Sequence, residues 1–143
     1  MRWIGRLFGG EGGRKPEQGK PGGILPPGEA DRIGTDEDLL VGYEDALGRN
    51  TEAARAEARG DAEAAIHLYE ISVAESFVGA HPYERLATLH ESGRNYAEAL
   101  RVTEAYITLA RSGRLPRGSQ RSADRKLPEF EARLERYRRL LEG

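Results

Sequence analysis

The chain has no cysteine, one methionine, one tryptophan and three histidines in 143 residues. The missing cysteine excludes disulfide staples, zinc ribbons, iron–sulfur clusters and a thiol nucleophile. Nothing then points to an oxidising compartment, and a cytoplasmic setting is the expectation. No apolar run approaches the roughly 20 residues that span a bilayer. Sustained apolar–polar alternation is absent between 35 and 112, which argues against strands. The length suits about one domain, and the 38% hydrophobic content suits a modest core. Glycine and proline are concentrated rather than scarce: residues 1–34 hold ten of the 18 glycines and four of the seven prolines. That concentration leaves residues 35–143 as the foldable region.

The net charge of −2 conceals three segments, carrying +3 over residues 1–28, −10 over 29–110 and +5 over 111–143. An acidic middle between basic ends steers partners of opposite sign or draws the ends back onto the middle; a solvated charged surface is the plainer account. At the start, Trp3, Ile4, Leu7 and Phe8 fall on one edge of a short helix with Arg2 and Arg6 beside it. Such a tip suits a membrane surface or a partner's groove, although two turns before Gly9 and Gly10 are too few for a stable isolated helix. The following run to Gly34 has no period and reads as a flexible linker.

Thr35 with Asp38 has the spacing of a helix-start capping pair, and Leu39, Leu40, Tyr43, Ala46 and Leu47 recur at helical spacing, so a helix is predicted over about 36–47. Gly48 or Asn50 interrupts it or not, and Thr51–Arg59 is rich in helix formers. Ala62, Ala65, Ile66, Tyr69, Val73 and Phe77 give a second apolar stripe opened by Asp61. Tyr83, Leu86, Ala87 and His90 give a third between Pro82 and Gly93. Asn95 with Glu98 opens a fourth, with Ala99, Leu100, Thr103 and Ile107 on its inner face. Phe130, Leu134, Tyr137 and Leu141 mark a last helix over about 122–142 that begins at Ser119, Ser122 or Leu127, the last if Pro128 sits in a first turn.

The segments GDAEAAIHLYEISV and RNYAEALRVTEAYI align with Ala65 over Ala99 and Ile66 over Leu100, 34 residues apart. With Tyr83, Leu86–Ala87, His90, Ala99, Thr103 and Tyr106 at fixed offsets, the chain resembles the tetratricopeptide-repeat family, whose period is about 34 residues. Its units fall at about 46–79 and 80–112. Arg49 and Glu52 depart from the motif, standing where the family has large apolar residues. The resemblance implies an all-α fold, a short α-solenoid of antiparallel helix hairpins. Short side chains at Ala65, Ala87 and Ala99 let its helices approach closely. About three units are normally needed, so the C-terminal helix is expected to cap the pair; an exposed partner-binding helix is the alternative.

His67, His81 and His90 are the only soft metal-ligand candidates. His81 and His90, nine apart, do not share a helix face in metal-site geometry, so no metal, no cofactor and no enzymatic activity are expected. The resemblance instead implies a groove for a polypeptide, lined by Asn50, Ala54 and Glu57 from the first unit and His81, Glu84, Thr88 and Glu91 from the second. Such a groove is acidic and favours a basic partner, supplied in trans or by Arg14–Lys15 or residues 111–126 of the same chain. The expected role is a non-enzymatic protein–protein interaction adaptor or scaffold. The alternatives are a nucleic-acid accessory using Arg111, Arg114, Arg117, Arg121, Arg125 and Lys126, against which the acidic body argues, and a peripheral membrane protein held by Trp3, Ile4, Leu7 and Phe8.

Overall fold

A computed structural model describes residues 39–143. The tip at Trp3, Ile4, Leu7 and Phe8, the glycine-rich run with Arg14–Lys15, and the Thr35–Asp38 capping pair lie outside the described residues. The chain divides into two units, the second being Ala46–Gly143. In the first, Leu39–Gly42 is a turn closed by Tyr43 N–H donating to the Leu40 carbonyl (3.1 Å). The described residues are all-α, with five helices: α1 Tyr43–Ala58, α2 Ala62–Ala74, α3 His81–Ser92, α4 Tyr96–Ala110 and α5 Arg117–Glu142.

The boundaries correct the sequence reading in four places. α1 begins at Tyr43, not near 36, and runs unbroken through Gly48 and Asn50, because Ala46, Asn50, Ala53 and Ala56 form one buried face that holds it together. α2 ends at Ala74, ahead of Phe77. At Asn95 the side chain makes no cap hydrogen bond, and Glu98 turns instead to Arg101. α5 starts at Arg117, five residues before the expected 122, and carries Pro128 in its interior. Pro128 removes the hydrogen bond to the Asp124 carbonyl, and both residues are exposed, so water can take that carbonyl.

Turn chemistry fixes the corners. Gly60 adopts φ +84° between α1 and α2, and Asp61 accepts from Ala64 N–H (3.1 Å) at the start of α2. After α3 the left-handed residue is Arg94 (φ 60°), not Gly93, and Asn95 N–H closes the turn on the His90 carbonyl (2.8 Å).

Cross-helix pairs give the direction of packing. Arg49 meets Glu75, Asn50 meets Ser72 and Glu57 meets Tyr69, so α1 and α2 are antiparallel. Glu104 meets Arg138, Tyr106 meets Phe130 and Ala110 meets Gln120, so α4 and α5 are antiparallel too. Glu84, Thr88 and Glu91 meet Lys126, Arg133 and Arg136 in that order, so α3 and α5 run parallel. The core joins Tyr69, Leu86, Ala87, Ala99, Val102, Tyr106, Phe130 and Tyr137, all fully buried. Rings of Tyr83, Tyr106 and Phe130 pack in series, tilted to one another, with centroids 5.0 and 4.4 Å apart. Ala65 and Ala99, the aligned small residues, are also fully buried, as close helix approach requires.

Candidate functional site

The seven residues expected to line a groove divide into two sets. On α3, the three members that follow His81 are all engaged by α5. Glu84 takes Lys126 Nζ at 2.7 Å, Thr88 Oγ1 accepts from Arg133 (3.2 Å), and Glu91 takes Arg136 at 3.1 Å together with the Tyr137 hydroxyl at 2.7 Å. The hydrogen bond to Glu84 holds the Lys126 ammonium above the usual lysine range. The anticipated acidic groove is therefore neutralised from within the chain. Of the basic residues 111–126 proposed for that part, Lys126 takes it, and Arg133 and Arg136 further along do the rest. Counting carboxylates along the sequence missed this, because the i, i+7, i+10 spacing of Lys126, Arg133 and Arg136 looks like ordinary surface charge until α3 lies alongside.

On α1 the arrangement is different. Glu57 is bound by Arg85 (2.7 Å) and by the Tyr69 hydroxyl (2.7 Å), and His81 Nε2 lies 3.4 Å from that hydroxyl oxygen. Burial alone would raise the Glu57 carboxyl, but the hydrogen bonds from Arg85 and Tyr69 outweigh it and hold the group below the usual range. Burial, then the same carboxylate, pushes the Tyr69 phenol up. Asn50 and Ala54 remain, and with Leu47, Thr51, Phe77 and His81 they line an open, largely apolar recess of about 330 Å³. Leu47 is 38% exposed, whereas Asn50 is 6% exposed. The structure thus brings together Asn50, Ala54 and His81 of the expected set, adds Leu47, Thr51 and Phe77, and places Glu84, Thr88 and Glu91 in a separate helix contact.

The buried Asn50 belongs to a chain of hydrogen bonds. Arg49 Nη1 donates to Ser72 Oγ (3.2 Å) and to Glu75 (3.0 Å), and Ser72 Oγ donates to Asn50 Oδ1 (2.6 Å). Arg49, which breaks the repeat motif in sequence, replaces apolar packing with this polar link between α1 and α2. Glu52, the other departure, is exposed.

A third cluster joins α2, α3 and α4. His90 Nε2 lies 3.1 Å from Glu70, and Arg101 bridges Glu70 (2.6 Å) and Glu98 (2.7 Å). The ligand atoms of Glu70, His90 and Glu98 lie within 4.8 Å of one another, a spacing a metal ion could use, but the Arg101 guanidinium already supplies the positive charge. His67 and His81 are exposed and stand apart from this group.

In the arginine-rich segment, Arg111 pairs with Glu131 and Lys126 with Glu84. Those two of the six expected phosphate contacts are thus committed to the fold. Arg121 and Arg125 are exposed on α5. No helix among the described residues is long and apolar enough to cross a membrane. Comparison of the chain with protein-family models, with curated proteins and with solved structures gives no match.

Proposed function

We propose that the chain is a non-enzymatic protein-interaction module of the tetratricopeptide-like kind, acting in the cytoplasm, that takes a polypeptide segment at the recess between α1 and the start of α3. In this reading α5 is a closing helix and not part of the binding surface. The observation that carries it is the contrast within one set of groove positions: Glu84, Thr88 and Glu91 are spent on α5, whereas Asn50, Ala54 and His81 border open apolar space. Recesses of this size with apolar walls and a few polar groups are the usual shape of a binding site. Because the α3 carboxylates are already paired, the partner's affinity comes from apolar insertion more than from positive charge.

The test is affinity purification with the full chain, using Ala54→Glu to fill and charge the recess and Glu91→Gln to disturb the α3–α5 contact. Partners retained by wild type and Glu91→Gln but lost with Ala54→Glu are expected. Partners indifferent to Ala54→Glu and lost with Glu91→Gln would place binding elsewhere.

A further inference from the structure

Glu70 on α2, His90 on α3 and Glu98 on α4 bring their donor atoms within 4.8 Å of one another where the three helices meet. The place attracts a cation already. Arg101 Nη2 lies 2.6 Å from Glu70 Oε2 and 2.7 Å from Glu98 Oε1, and His90 Nε2 lies 3.1 Å from the same Glu70 oxygen. Two carboxylates against one guanidinium leave the group with an excess of negative charge that a second charge on the cation would balance. His90 is more than nine-tenths buried, so its ring is held facing the carboxylates. Glu70, Glu98 and Arg101 are partly exposed and have room to adjust, and their open side gives solvent a way in.

We infer that Glu70, His90 and Glu98 form a binding site for a divalent transition-metal ion of the zinc type, with Arg101 as the cation that the metal displaces. One imidazole nitrogen with two carboxylates suits such an ion, whereas magnesium and calcium prefer oxygen donors alone. Donors around a tetrahedral ion at about 2.0–2.2 Å stand about 3.4 Å apart, so the two glutamate side chains close in by rotation while the buried imidazole stays in place. Water completes the coordination from the exposed side. Arg101, with 44% of its side chain exposed, swings into solvent when the ion enters. The ion then ties α2 to α3 and α4 and so braces the two helix pairs against each other. Histidine spacing carries no sign of this set, because only one histidine takes part and the carboxylates come from two other helices. The site is separate from the recess and does not depend on it.

The experiment titrates zinc chloride into the full-length chain, with calorimetry for affinity and nitrogen NMR of the histidine rings for place. One ion per chain is expected, moving the His90 Nε2 signal and leaving His67 and His81, which stand apart, unshifted; this readout needs no variant. Calcium chloride is expected to leave all three rings unmoved. Glu98→Gln, at a partly exposed position that does not endanger the fold, is expected to weaken zinc binding at least about tenfold. Arg101→Gln removes the competing cation and is expected to tighten it about tenfold. No binding at about 1 mM zinc, or binding that moves His67 or His81 while His90 stays still, would overturn the site. So would an affinity unchanged by Glu98→Gln, or one that does not rise with Arg101→Gln.

Discussion

The α1–α3 contact and the α3–α5 contact are built on equivalent positions and end differently. In each, a carboxylate on one helix meets a cation on the other: Glu57 with Arg85, then Glu84 with Lys126 and Glu91 with Arg136. Across α3–α5, long side chains from α5 reach over the whole face, backed by the buried rings of Phe130 and Tyr137. Across α1–α3, the residues beyond Glu57 are Asn50 and Ala54, too short to reach, and space remains. A groove position thus stays open only where the neighbouring helix sends nothing long enough to occupy it.

The largest effect that sharpens this contrast is cavity formation. Phe130→Ala is expected to lower unfolding free energy by about 3–5 kcal/mol, whereas Leu47→Ala at the open recess should stay within about 0.5 kcal/mol. Urea denaturation of the two variants reads the difference directly, and equal losses would mean that the recess is closed in solution.

Alkaline titration comes next. Burial pushes Tyr106 up to about 12 and raises Tyr69, Tyr83 and Tyr137 as well. Below pH ~10 these phenols are protonated in both states; above it the unfolded chain ionises first, so stability is lost as pH rises, by up to about 1.4 kcal/mol per pH unit for each tyrosine. Tyr69→Phe and Tyr137→Phe should each flatten the decline, one at the α1 side and one at the α5 side. On the acid side the sign reverses: the depressed Glu57 carboxyl gives stability that is present near neutrality and lost as pH falls below its ordinary range.

Ser72→Ala removes the link between Arg49 and Asn50 and leaves the buried Oδ1 without its donor. A loss of about 1–3 kcal/mol is expected in the same denaturation assay. The smallest effect belongs to the half-exposed ion pairs. Lys126→Met should cost about 0–1 kcal/mol and reduce the salt sensitivity of stability, because exposed pairs are screened and entropically expensive to hold. A loss of several kcal/mol would mean that charge, not the Phe130–Tyr137 packing, fastens α5.

The helices were legible where one buried face repeats. Leu86, Ala87 and His90 on α3, and Phe130 and Tyr137 on α5, announce themselves by spacing, and all are buried as that spacing requires. The passage of α5 through Pro128 was not, since a proline gives a local preference that packing of the rest of the helix overrides. Of the expected groove residues, the structure brings Asn50, Ala54 and His81 to one recess. The involvement of Phe77, which follows the end of α2, had no periodic signal to reveal it.

What the amino-acid order determined by itself is the helical class, the short turns at Gly60 and Gly93, and the inward placement of Ala65 and Ala99, because these depend on local backbone preference and a 3.6-residue period. Tertiary structure alone decided which carboxylates remain available and where open space survives. Those outcomes depend on the length and charge of side chains brought opposite one another from 28 to 46 residues away, as with Glu57 and Arg85 or Glu91 and Tyr137. No reading of a single helix contains that information.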